Sequence, residues 1–233
     1  MFRLDNLVLE QEGFRLSADW QAEPGARIAV IGPSGAGKSS LLAAIAGFYA
    51  PASGRVWLEG QELTGMVPGE RPLSILFQDQ NLFPHLTVAQ NLGLGIRPDL
   101  RLSAADQARV AAALERVGLE GFGARKPAQL SGGQASRAAL ARVLLRARPL
   151  LLLDEPFAAL GPALKGEMLA LLAEVAGETG ATVLMVTHDP QDAEEFAGLT
   201  VLVAEGVAAA PVTTGKLLAD PPPALAAYLG PKN

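Results

Sequence analysis

Eight residues near the start of the chain, Gly32-Pro33-Ser34-Gly35-Ala36-Gly37-Lys38-Ser39, match the spacing G-x-x-x-x-G-K-[ST]. Glycines so placed let backbone N–H groups converge on phosphate oxygens. Lys38 would reach the β- and γ-phosphates, and the Ser39 hydroxyl, followed by Ser40, would ligate Mg²⁺. The apolar run Arg27 to Ile31 precedes the loop and a helical run, Lys38 to Ala46, follows it. That helix would point its positive end at the same phosphates. Leu41, Leu42 and Ile45 mark its inner face and Gly47 its stop. An ordinary strand–turn–helix is the bland alternative. The motif points to a nucleotide site without naming a reaction.

A second constellation follows the aliphatic run Leu150 to Leu153, where Asp154, Glu155 and Pro156 stand in sequence. Two carboxylates at the end of a buried strand can divide the labour: Asp154 holding Mg²⁺, usually through water, and Glu155 polarising the water that attacks the γ-phosphate. A pair of solvated carboxylates at a strand end is the bland alternative. Beside a phosphate loop that reading weakens, because open α/β sheets bind ligands at the carboxyl ends of their strands. The chain has two histidines. His188 follows the strand-like run Thr182 to Val186, the position Asp154 holds after its own strand, and there an imidazole could touch the γ-phosphate. A lone loop histidine is otherwise structural or exposed. His85, in Phe83-Pro84-His85-Leu86, reads as surface or packing.

The third is Leu130-Ser131-Gly132-Gly133-Gln134. Ser131 and Gln134 form a formal capping box. A cap does not call for two glycines, which disfavour the helix they start. They make sense where backbone must lie close against a phosphate. Since the first loop already wraps one face of a nucleotide, this second helix start could serve best from a partner subunit.

The elements that must position these residues are short apolar strands: Leu4 to Leu9, the alternation Phe14, Leu16, Ala18, Trp20, then Arg27 to Ile31, Val56 to Glu59, Ser74 to Phe77, Leu150 to Leu153, Thr182 to Val186 and Leu199 to Val203. Strands apolar on both faces imply a parallel sheet covered by helices on each side. Between Gln78 and Leu130 the pattern turns helical, with Val110, Leu114 and Val117 at helical spacing and Gly118 as a stop. A helix from Ser131 through Ala147 is expected next, and a short apolar turn, Leu225 to Leu229, after Pro221-Pro222-Pro223.

Length and composition bound the rest. A chain of 233 residues, 49% hydrophobic and 18% charged, fits one α/β domain with an inserted subdomain. Nineteen basic against 24 acidic residues, a net charge of −5, argue against nucleic acid as a partner, which needs a basic face. There is no cysteine, so disulfides, thiol chemistry and Cys-bound metals are excluded. No apolar run approaches the roughly 18 residues of a membrane span. The start, Met1-Phe2-Arg3-Leu4-Asp5, shows no basic stretch followed by an apolar core, so a cytoplasmic location is expected.

Together the phosphate loop, Gln78, Leu130 to Gln134, Asp154-Glu155 and His188 resemble, in order and spacing, the ATP-binding cassette (ABC) ATPases, over essentially the whole chain. The resemblance implies a P-loop NTPase fold: a mostly parallel central sheet, an N-terminal antiparallel β part and an inserted helical subdomain. It implies a single domain over 1–233, with 1–78 and 149–233 as nucleotide-binding core and 79–148 as helical subdomain. It also implies ATP and Mg²⁺ as cofactors and a head-to-tail homodimer that buries two ATPs, each between one phosphate loop and the other subunit's Ser131 to Gln134. Gln78 would contact Mg²⁺ and the reacting water and join the core to the helical subdomain, which would dock on transmembrane permease subunits. Family members commonly stack an aromatic residue on adenine; the stretch Leu9 to Phe14 offers only Phe14. Where they carry an S-A-L-D sequence, this chain has Ala158-Ala159-Leu160-Gly161, lacking the aspartate, although Gly161-Pro162 still suits a helix start. After Leu130 to Gln134, the family's signature sequence, it has Ala135-Ser136 where basic and glutamine residues are usual, with Arg137 retained.

Within the family, the run Leu76 to Gly95, with Gly47-Phe48 and Pro51-Ala52-Ser53-Gly54, is most similar to the ATPases of bacterial thiamine importers. That implies a peripheral subunit on the cytoplasmic face of the inner membrane, served indirectly by an external substrate-binding protein. Importers of iron(III), sulfate, molybdate or polyamine are the near alternatives. A soluble ABC ATPase acting on DNA ends or ribosomes, and a non-hydrolysing nucleotide switch, are the alternatives from other classes.

Overall fold

Residues 1–11, 13–77, 82–158 and 160–229 are described by a computed structural model. In chain order the elements are β1 Phe2–Gln11, β2 Phe14–Ala22, β3 Arg27–Ile31, α1 Lys38–Ala46, β4 Ser53–Leu58, β5 Gln61–Glu62 and β6 Leu73–Leu76. Then come α2 Val88–Gly93, α3 Ala104–Arg116, α4 Gly132–Leu145, β7 Leu150–Asp154, α5 Pro162–Thr179, β8 Thr182–Val186 and α6 Pro190–Phe196. The chain closes with β9 Leu199–Ala204, β10 Val207–Ala208, β11 Val212–Thr213, α7 Thr214–Ala219 and α8 Pro223–Leu229.

The strands lie in the order β5-β4-β1-β2-β10-β9-β3-β8-β7-β6, with β11 on β9. Neighbours from β9 to β6 run parallel, whereas β1, β2, β4 and β5 pair antiparallel. The expected α/β fold with a mostly parallel sheet and an N-terminal antiparallel part is what forms. Period-2 alternation splits the central strands between two cores. Leu150, Leu152 and Leu184 face the side of α1 and the antiparallel strands; Leu151, Leu153, Val183 and Met185 face the helices from α2 to α6. An all-apolar strand such as Leu150–Leu153 is thus read by both layers at once.

Register brings the chemistry together. Val30 pairs with Val186, and Val186 with Asp154, so β3, β7 and β8 end level with one another. Whatever follows these three strands, the phosphate loop, Glu155 and His188, must share one edge of the sheet. Helix α3 buries Val110, Leu114 and Val117, as their spacing requires. Helix α4 stops at Leu145, two residues before the expected Ala147, which takes a left-handed φ of 47° and so cannot continue it. None of the helices among the described residues is long and apolar enough to cross a membrane.

Candidate active site

The phosphate loop leaves β3 under two steric constraints that only glycine meets. Gly32 has φ 150°, and a Cβ there would lie 2.0 Å from the Val203 carbonyl oxygen of β9. Gly37 has φ 100°, and a Cβ would lie 2.4 Å from the edge of the Phe14 ring. The aromatic residue singled out in the sequence therefore packs on the last glycine of the loop, at the first turn of α1. Gly37 caps α1 without a side-chain hydrogen bond, so the first N–H groups of the helix have no protein side chain capping them. Leu41, Leu42 and Ile45 are fully buried beneath it.

Lys38 is 9% exposed, and its Nζ donates to the carbonyls of Gly32 (2.7 Å) and Pro33 (2.9 Å), curling over the loop. Burial lowers its pKa, while the charges of Glu155 and Asp154 pull it back up. Asp154 shows the mirror image: burial raises its pKa, Glu155 adds to the rise, and a hydrogen bond from Ser39 and the Lys38 charge oppose it. A half-buried carboxylate bonded to a hydroxyl, with a second carboxylate beside it, is a donor set for a hard divalent cation. Ser39 and Asp154 therefore fit Mg²⁺, which would supply charge neutralisation for phosphate oxygens. No cluster of three His, Cys, Asp or Glu able to hold a metal occurs among the described residues. Any such ion would need its remaining ligands from phosphate and water.

Glu155 follows in the left-handed region at φ 46°, with its N–H donating to the Val186 carbonyl at 3.1 Å. For a residue with a Cβ that conformation is strained. It turns the side chain off the strand toward the next loop, where Oε2 lies 3.1 Å from His188 Nδ1. That contact leaves His188 Nε2 as the ring nitrogen open to other partners. Glu155 and His188 thus pair, a contact that the strand-end position of His188 did not by itself specify.

The loop carrying His188 is itself tied down by residues that the sequence motifs did not single out. Lys165 on α5 bridges Asp189 (2.5 Å) and Asp192 (2.7 Å), and Thr187 donates to Asp192 at 2.7 Å. Asp189 also caps α6, accepting from the Gln191 N–H. An Asp-Pro pair opening a helix was a readable signal there; the lysine partner, 24 residues away, was not.

Ser131 to Gln134 begin α4 with the capping box formed: Ser131 accepts from the Gln134 N–H and Gln134 Oε1 accepts from the Ser131 N–H. Ser131 and Gly132 are nevertheless exposed. Gln78 lies outside the described residues. Just beyond it, buried Asn91 accepts from the Phe83 N–H and donates to the carbonyls of Phe83, Leu86 and Thr87, shaping a loop that leaves Phe83 46% exposed. His85 is exposed against the Phe83 ring.

Loop, strand ends and signature helix define a P-loop nucleotide hydrolase site of the ATP-binding cassette type, and the wider relatives agree. The ABC transporter family matches residues 17–158, and the chain belongs to that family. It is 68% identical to the thiamine import ATP-binding protein ThiQ of Cereibacter sphaeroides, covering 99% of this chain and 100% of that one. The same-named protein of a Ruegeria species is 56% identical with the same coverage. Among solved structures, a dimeric ATP-binding cassette in a post-hydrolysis state bound to ADP and Pi superposes with a TM-score of 0.82 at 29% identity, covering 92% of this chain and 99% of that one. The nucleotide is therefore ATP, and the activity is that of an ATPase coupled to transport.

Proposed function

We propose that this chain is the ATP-hydrolysing subunit of a bacterial thiamine importer. The observation that carries the substrate is the 68% identity to a thiamine import ATP-binding protein over nearly the full length of both chains. Each residue of the site then has a part. The loop amides from Gly32 to Ser40, with Lys38, hold the phosphates; Ser39 and Asp154 would hold Mg²⁺, with Gln78 beside it. Glu155 takes the proton of the attacking water. His188, oriented through Nδ1 by Glu155, presents Nε2 to the γ-phosphate. Ser131 to Gln134 act on the ATP of a second copy, so a head-to-tail homodimer is the hydrolysing unit.

In this reading the transmembrane permease subunits are separate chains, and this one works on the cytoplasmic face of the membrane. Residues 79–148 act as the helical subdomain that meets them, and exposed Phe83 marks the contact. The test is uptake of labelled thiamine, iron(III), sulfate, molybdate and polyamine, offered in parallel to a strain lacking the gene. Thiamine uptake should be lost and Lys38→Ala should fail to restore it. Intact thiamine uptake beside loss of another substrate would overturn the assignment.

A further inference from the structure

His188 is held from a direction that the nucleotide motifs do not explain. Tyr228, on the C-terminal helix α8, donates its hydroxyl proton to the His188 backbone carbonyl at 2.7 Å, from 40 residues further along the chain. The helix is not loosely placed: Leu225, one turn earlier, is fully buried, and Tyr228 and Leu229 pack on the same apolar core. Burial, then the nearby charges of Glu155 and Asp189, raise the Tyr228 pKa above its ordinary value, so the phenol stays protonated and remains a donor. The side chain therefore stands close enough to the catalytic carboxylate to feel its charge while bonding the backbone of its histidine partner.

The two histidine contacts act on different freedoms. Glu155 Oε2 fixes the ring through Nδ1. Tyr228 fixes the peptide from which that ring projects. His188 is 60% exposed as a side chain, so neighbouring atoms alone do not confine it. Downstream, the Lys165 bridge to Asp189 and Asp192 secures the next turn, but not the His188 carbonyl itself.

We propose that Tyr228 is a positioning residue for hydrolysis: its hydrogen bond to the His188 carbonyl holds the imidazole between Glu155 and the γ-phosphate, making α8 a brace of the ATP site. The proposal rests on the reading of His188 given above. A mere packing role for α8 would need the tyrosine ring but not its hydroxyl. Tyr228→Phe separates the two, since it keeps the ring and deletes the donor.

In the purified full chain, Tyr228→Phe should lower kcat about 3–10-fold, the range expected for one hydrogen bond of ordinary net strength. The ATP dissociation constant and KM should stay within about twofold, because Lys38 and the loop amides are untouched. Rates are referred to sites competent to bind a fluorescent ATP analogue, so any loss of folded protein does not enter the comparison. His188→Ala provides the control. On that background Tyr228→Phe should cost less than about twofold, because residues acting through one another are not additive. An unchanged kcat in Tyr228→Phe, with His188→Ala strongly impaired, would overturn the brace and leave the reading of His188 intact. Normal hydrolysis in His188→Ala would overturn both. Equal losses from Tyr228→Phe on the two backgrounds would assign the tyrosine to packing.

Discussion

Two of the helices that open on glycine-bearing turns, those at Lys38 and at Gly132, stand in different surroundings. Around the first, β3, β7 and β8 end level, Lys38 is almost buried, and Asp154, Glu155 and His188 stand opposite. Helix α1 has no side-chain cap. Around the second, Ser131 and Gly132 face outward, and the helix satisfies its own first turn with a capping box. One site is furnished with counter-charges by its own chain. The other is complete as structure, and among the described residues a Cβ added at Gly133 would meet only the apolar side chains of Leu160 and Leu164. A local rule explains why α4 starts where it does; the proposed second copy would explain why it starts on glycine.

The largest break should come inside the furnished site. Glu155→Gln keeps shape and hydrogen bonding but removes the charge that accepts a proton, so turnover should fall at least about 100-fold. ATP binding should survive, and the ATP-bound dimer should accumulate on size-exclusion chromatography. Near-normal hydrolysis would take Glu155 out of the mechanism.

The outward helix start should break differently. Ser131→Ala removes the cap and should cost about 1 kcal/mol of stability. If the residue also serves a second copy, hydrolysis should fall as well, by about 100-fold, with monomer nucleotide binding intact. Mixing Ser131→Ala with Lys38→Ala subunits should restore part of the activity, because each mixed dimer keeps one site with both native residues. Heterodimers that form without any recovery would sink the shared site.

A subtler contrast lies in the tie behind His188. Burial alone would lower the Lys165 pKa, but hydrogen bonds to Asp189 and Asp192 outweigh it and the net shift is upward. The stabilisation is therefore fully present below the ordinary lysine value of 10.5 and fades as pH rises through the higher folded value. Asp189 is opposed by burial but pulled down by Lys165, so its share is present above the ordinary 3.8 and fades as pH falls through the lower folded value. Lys165→Met should cost about 1 kcal/mol at pH 7 in urea unfolding, a cost that shrinks at strongly alkaline pH. A pH-independent cost would mean that packing, not charge, holds the loop.

The smallest effect should have the opposite sign. The Asp154 pKa is raised in the folded chain, chiefly by burial, so its ionised form opposes folding as pH climbs through that value. Asp154→Asn should slightly raise the ligand-free melting temperature while abolishing the Mg²⁺ dependence of ATP binding. A lower melting temperature would show that the Ser39 hydrogen bond matters more than the buried charge.

Much of this was legible in the residues. The bounds of β3, β8 and α1 follow from apolar runs closed by Gly32, Thr187 and Gly47, because these elements are buried and their ends carry turn chemistry. What the sequence offered for His188 was a strand-end position equal to that of Asp154, and the register of β7 and β8 converts it into a contact with Glu155. Lys165, Asn91 and Tyr228 were not legible. Each works through a partner on another element, 24, 8 and 40 residues away, and no spacing rule within a helix or strand reaches that far. The two-residue strands β5, β10 and β11 were equally silent, being too short to carry a period.

The left-handed backbone at Glu155 has a further consequence for anyone evolving this protein. A glycine adopts φ near 46° freely, while a glutamate there costs about 1–3 kcal/mol. Selection for heat tolerance alone would therefore reward Glu155→Gly, trading the proposed proton acceptor for a relaxed turn. Libraries screened by melting temperature should drift toward inert proteins at this codon, and only a screen that reads uptake will hold the carboxylate in place.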